Sequence, residues 1–202
     1  MSKKLLGVGT DFGLWYRDDL TTSAWVQVPS SGSVIGITVQ SNGNLIGVGT
    51  DNQLYTRDTL NSPWVQIPNS GDMQAIAAGI GNGLLGVGTD NALWSRDDFM
   101  TSPWQQIPNS GSMVDITIMS DGLIIGVGTD NQLWVKNNLT SPWQQIPNSG
   151  SMIGIAAMPD GMIVGVGTDN QLWFRTNLSS DWANIASSGS FIAIAYGEQV
   201  DL

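Results

Sequence analysis

The chain has 202 residues, 41% of them hydrophobic and only 12% charged, with 25 glycines, no cysteine and no histidine. That balance is globular and turn-rich, and it excludes disulfide scaffolds, thiolate metal sites and histidine acid–base chemistry. A formal charge of −10 with seven basic residues excludes a phosphate-neutralising nucleic-acid binder.

At the N terminus, Met1-Ser-Lys-Lys is followed by only two leucines before Gly7, so no signal-peptide core is expected. No later run approaches the roughly 20 apolar residues that span a bilayer. A soluble protein follows, cytoplasmic or released without a classical signal peptide, with no membrane insertion.

From Gly7 the chain repeats one phrase, Gly-Val-Gly-Thr-Asp, at Gly7–Asp11, Gly47–Asp51, Gly86–Asp90, Gly126–Asp130 and Gly165–Asp169. The starts are 40, 39, 40 and 39 residues apart. A tryptophan phrase keeps the same period at Trp25, Trp64, Trp104, Trp143 and Trp182, reading Trp-Gln-Gln-Ile-Pro in its clearest form. Each unit offers four short β-like runs, which in the second unit are Val34–Val39, Leu45–Thr50, Gln53–Arg57 and Trp64–Ile67. Asn-Gly or Asp-Gly at the first junction suits a tight hairpin turn, and Thr-Asp-Asn at the second suits another.

The first run is apolar on both faces, with Ile37, Ile76, Ile116, Ile155 and Ile194 alternating with small residues. That pattern fits an innermost strand pinched between neighbours. The fourth run ends in proline, which belongs at an edge. The only length change lies between the third and fourth runs, where the basic residue precedes the tryptophan by 8, 7, 8, 7 and 7 residues. That loop therefore lies at the surface. The chain starts in a second run and ends on an unpaired first run, Phe191–Tyr196. Pairing those two closes a ring. The reading is an all-β, five-bladed β-propeller with four antiparallel strands per blade. Its C-terminal strand closes the first blade, and residues 1–202 form one domain.

The order of these runs, apolar strand, Asn/Asp-Gly turn, Gly-Val strand, Asp-x-Leu-Trp/Tyr-x-Arg strand and Trp-x-Gln-Ile-Pro, resembles tectonin repeats across residues 5–197. The five-unit closure resembles the tachylectin-type lectins. The resemblance implies a propeller that binds glycans between blades, N-acetylhexosamines among them, with one site per repeat.

The candidate ligand-binding residues recur with the repeat. Trp64, Trp104 and Trp143 can stack on a sugar or pack as blade core. Tyr55, Trp94, Trp134 and Trp173 share a sheet face with the basic residue two positions on, Arg57, Arg96, Lys136 or Arg175. Each pair is a ligand platform or a cation–π and salt-bridge ladder between blades. The turns Asn69-Ser70, Asn109-Ser110 and Asn148-Ser149 offer amide and hydroxyl donors, or merely turn the chain. The aspartate of each phrase can accept sugar hydroxyls or bind calcium, but turn chemistry explains it fully. Asp115 interrupts the inner run once, where it is expected to line the central channel, and carries no assigned role.

No nucleophile elbow, phosphate loop or metal-ligand cluster stands out, so neither catalysis, a metal nor a cofactor is expected. The sequence reads as a multivalent glycan-binding protein, a lectin, expected to be a monomer. The alternative is a structural or protein-interaction propeller with no sugar ligand. An enzyme with a single asymmetric site around Asp115 is a more remote third reading.

Overall fold

Every backbone amide and carbonyl removed from water needs a partner, and short apolar runs punctuated by glycine and Asn/Asp turns find one in antiparallel neighbours. The structure, a computed structural model, describes residues 2–202, and among them there are twenty strands and no α-helix. No helix is therefore long and apolar enough to cross a membrane.

The strands form five four-stranded antiparallel sheets. Blade 1 holds β1 (Ser2–Gly9), β2 (Leu14–Arg17) and β3 (Val26–Gln27). Blade 2 is β4 (Val34–Val39), β5 (Leu45–Gly49), β6 (Leu54–Arg57) and β7 (Val65–Gln66). Blade 3 is β8 (Met73–Ala78), β9 (Leu84–Gly88), β10 (Leu93–Arg96) and β11 (Gln105–Gln106). Blade 4 is β12 (Met113–Ile118), β13 (Ile124–Gly128), β14 (Leu133–Lys136) and β15 (Gln144–Gln145). Blade 5 is β16 (Met152–Ala157), β17 (Ile163–Gly167), β18 (Leu172–Arg175) and β19 (Ala183–Asn184). The last strand, β20 (Phe191–Val200), pairs with β1 and completes blade 1.

The innermost strands β4, β8, β12, β16 and β20 touch in cyclic order, so the sheets form a closed five-bladed β-propeller. The two-residue strands lie at the rim. Each apolar cluster joins two successive blades: Val48 and Leu54 of blade 2, for example, pack with Ile76 and Leu84 of blade 3. All four are buried, and each such side chain contributes about 1.5–3 kcal/mol.

Two details differ from the sequence reading. The closing strand runs four residues beyond Tyr196, with Val200 paired to Ser2, because the extra length of β1 gives it a partner. In blade 3 the left-handed turn residue is Gly81 (φ 62°), not the glycine of Asn82-Gly83. Elsewhere the expected Gly43, Gly122 and Gly161 take the positive φ.

Candidate functional site

The repeated phrase builds a cleft in blades 1, 4 and 5. Its two glycines lie on the sheet face that meets the preceding blade, and each clears room for something. A Cβ at the first, Gly126, would lie 3.0 Å from Cη2 of Trp143 and 2.8 Å from Sδ of Met113. A Cβ at the second, Gly128, would lie 2.4 Å from the Asp130 carboxylate and 2.9 Å from the Trp134 indole nitrogen. The valine between them points the other way, into the core.

In blades 2 to 5 the outer edge of the rim indole therefore sits against the first glycine, a place Phe191 takes in blade 1, and the strand aromatic and aspartate gather over the second. In blade 4 the resulting cleft is lined by Gly111, Ser112, Met113, Gly128, Thr129, Asp130, Trp134 and Trp143. Blade 5 repeats it with Asp169, Trp173, Trp182 and Met152. Blade 1 repeats it with Asp11, Trp15, Trp25 and Phe191. Their volumes of 330, 260 and 280 Å³ make them near copies of one site. All are walled by second-to-third-strand turns and blade-to-blade loops, which share one face of the disc. The variable loop between third and fourth strands lies on the opposite face.

Both tryptophan columns reach these clefts, and both are half-buried. The rim indoles have no N–H to spare: Trp64, Trp104 and Trp143 donate to the carbonyls of Ser31, Ser70 and Ser110 at 2.7, 2.6 and 2.6 Å, and Trp182 donates to Ser149 at 2.9 Å. In blade 1, Phe191 replaces the methionine and packs on Trp25 with centroids 4.4 Å apart. The Trp25 N–H there is buried without a partner among the described residues. The strand indoles are held more loosely. Trp94, Trp134 and Trp173 donate to Oδ1 of Asp90, Asp130 and Asp169 at 3.3, 3.3 and 3.4 Å. Tyr55 instead donates its hydroxyl to Oδ2 of Asp51 at 2.7 Å, which lowers the Asp51 pKa and raises its own.

The aspartates do more than turn the chain. Oδ1 accepts the backbone N–H two residues on, as at Ala92, Gln132 and Gln171, and the same carboxylate then forms the cleft floor. The signal was in the sequence: an aspartate kept in all five phrases directly after two glycines that clear its side chain. The methionines Met73, Met113 and Met152, at a fixed position opening the inner strand, carry a similar signal.

The basic residues sit elsewhere. Arg57, Arg96, Lys136 and Arg175 are buried beneath the rim indole of their own blade, with the charge 4.9, 5.2, 5.1 and 5.3 Å from the ring centroid. The cation–π ladder is thus within blades. Their donors serve loop carbonyls: Arg57 Nε reaches Thr59 at 2.9 Å, Arg175 Nε reaches Asn177 at 2.9 Å and Lys136 Nζ reaches Leu139 at 2.9 Å. Burial pushes all four below their ordinary pKa.

The Asn-Ser turns also divide. Asn69, Asn109 and Asn148 are exposed and left-handed, at φ 52°, 53° and 51°. Ser70, Ser110 and Ser149 are buried, each hydroxyl accepting the N–H of Leu54, Leu93 or Leu133 in its own blade. One serine thus ties its own blade through the hydroxyl and the next blade's tryptophan through the carbonyl.

At the axis, a channel of 130 Å³ is lined by the inner strands, with Asp115 the only carboxylate on its wall among the described residues. Its oxygens accept the N–H groups of Ile116 at 2.8 Å and Ile155 at 2.7 Å, and burial pushes its pKa up to about 7. Among the described residues no group of three potential metal ligands comes together.

A sequence model of the Tectonin domain matches residues 7–200. Among curated proteins, none matches the chain in sequence. Among solved structures, the fold is similar to that of a protein from work on the de novo evolutionary emergence of a symmetrical protein. That chain is 13% identical with a TM-score of 0.66, over 95% of this chain and 93% of that one. It is also similar to YCF48 bound to D1 peptide, at 17% identity and a TM-score of 0.50, over 91% of this chain and 66% of that one. YCF48 from Cyanidioschyzon merolae matches at 15% identity and a TM-score of 0.54, over 84% of this chain and 62% of that one. At such identities the likeness is one of fold.

Proposed function

The chain belongs to the tectonin family, and from that premise we propose that it is a multivalent carbohydrate-binding protein whose sites are the inter-blade clefts. The observation that carries the reading is the recurrence, on one face, of a shallow cleft offering two indoles beside a carboxylate. A pyranose presents an apolar C–H face and a rim of hydroxyls. Indole surface suits the first and a carboxylate acceptor the second. Each cleft is small, so single-site affinity is weak and useful binding comes from several clefts engaging one clustered glycan. Such linkage raises avidity by about 10²–10⁴-fold where the spacing permits.

Within the cleft the working residues are the strand tryptophans Trp94, Trp134 and Trp173, the outer surfaces of Trp104 and Trp143, and the aspartates. Tyr55 and Trp64 form the blade 2 counterpart. Asn69, Asn109 and Asn148 stand exposed on the same face and can meet an extended glycan. The buried serines and basic residues shape the clefts from behind.

A glycan array that includes N-acetylhexosamines and free hexosamines tests the reading. The informative variant is Trp94→Ala/Trp134→Ala/Trp173→Ala, because those side chains are not latched across blades as the rim tryptophans are. Glycan binding by the native chain, lost in a variant with unchanged circular dichroism, is the expected result. An array with no bound glycan at high protein concentration would leave the propeller as a structural or protein-interaction module.

A further inference from the structure

The clefts have an electrical sign as well as a shape. The basic side chain of blades 3, 4 and 5 is folded beneath a rim indole with its Nε or Nζ given to a loop carbonyl, and Nη1 of Arg96 and of Arg175 is buried there without a partner among the described residues. Indole and carboxylate therefore face the opening. At Asp90, Asp130 and Asp169, Oδ1 takes the turn amide and the strand indole N–H, and among the described residues nothing donates to Oδ2. Blade 2 is different, because the Tyr55 hydroxyl already occupies Oδ2 of Asp51. The rim indole also holds a buried cation against one face, whereas no such cation contact is made by Trp94, Trp134 or Trp173. A strand indole with a half-satisfied carboxylate beside it is a seat for positive charge. The net charge of −10 raises the local concentration of cations around it.

We propose that the clefts of blades 4 and 5, and the equivalent indole and carboxylate of blade 3, select sugars bearing a protonated amino group over neutral or acidic ones, the ammonium resting between strand indole and free carboxylate oxygen. This rests on the carbohydrate reading above and gives it a substrate class. An N-acetyl group removes the charge that the site takes up, and a sialic acid or sulfate opposes the carboxylate. Blade 2, its acceptor already filled, takes no part in the preference.

The test is calorimetric titration of the whole chain with a glucosamine tetramer, an N-acetylglucosamine tetramer and a sialylated oligosaccharide. The expected order is glucosamine first, by about tenfold over its acetylated form, with the sialylated probe weakest. In the variant Asp90→Asn/Asp130→Asn/Asp169→Asn, which keeps an Oδ1 acceptor for each turn, the ratio of glucosamine to N-acetylglucosamine affinity falls to near one. A preference that persists in this variant would come from the overall negative charge and would overturn the proposal. Equal or tighter binding of the acetylated tetramer by the native chain would also overturn it while leaving the carbohydrate reading intact. If none of the probes binds, and no glycan binds on the array, both fail together.

Discussion

The two glycines of each Gly-Val-Gly-Thr-Asp phrase show how little room a residue change has here. The first admits a rim indole, or Phe191 in blade 1, and the second an aspartate with a strand aromatic, so an added methyl at either meets atoms within about 3 Å. The phrase was legible as a strand and turn. Its second purpose showed only in the recurring aspartate, because the ring and methionine atoms it also clears come from the next strands and the inner strand of the same blade. The basic residues show the same limit. Their two-residue spacing from the strand aromatic correctly puts both on one face, but the rim tryptophan that covers them is only placed by a two-residue strand pairing. Phe12 shows a local rule broken. It holds φ 62° at a turn position where the other four blades have asparagine, and it is exposed. A bulky side chain in the left-handed region costs about 1–2 kcal/mol, which asparagine largely avoids. Asn52 and Asn170 also donate from the side chain to the carbonyls of Met73 and Phe191. Phe12→Asn is therefore expected to stabilise the chain by about 1 kcal/mol. An upward shift of the urea midpoint with an unchanged slope is the check, and no shift would mean the turn carries no strain.

Among elements, the inner strands meet at the axis edge to edge, and side chains bridge them there. Thr38 accepts the N–H of Ala78 at 3.0 Å, and Thr117 accepts that of Ala157 at 3.1 Å. Asp115 joins β12 to β16 in the same manner, but with a group that titrates. The sequence placed Asp115 on an inner strand at the central channel but not its bond to the next blade, since the N–H it accepts there, that of Ile155, lies forty residues away. The sign of its effect is fixed by its pKa, raised from an unfolded value near ~3.9 to about 7. The native state holds this proton more tightly than the unfolded chain. Its contribution is full below about pH 4 and is lost as pH rises towards 7, where charging the carboxylate costs on the order of a few kcal/mol. Blade 3 has Ala75 at the same place, so the strand forms without a carboxylate. Asp115→Ala should flatten the dependence of melting temperature on pH between about 4 and 7. A slope equal to that of the native chain would show that Asp115 is not the group responsible. The closing strand was legible as far as Tyr196. Gly197, Glu198 and Gln199 carry no strand signal of their own, and only the partner residues at the N terminus extend it.

At the scale of the whole molecule, the ring was the most legible feature, because the repeat, the turn residues and the offset ends all agree with one closed topology. The fine position of the sites was the least legible. Each cleft is walled by a turn and a loop far apart in sequence, and the same residue types serve as core behind it and as surface within it. What the closed ring adds is orientation: the clefts seen in blades 1, 4 and 5 open towards one face, as a surface meant for clustered ligands requires. The most direct test of that account follows the side-chain N–H signals of the nine tryptophans by nuclear magnetic resonance during titration with the best array glycan. The account predicts that the signals of Trp94, Trp134 and Trp173 move together, while the backbone signals of Ile116 and Ile155 at the channel stay in place. Shifts confined to the channel, or no indole shift at saturating glycan, would contradict it.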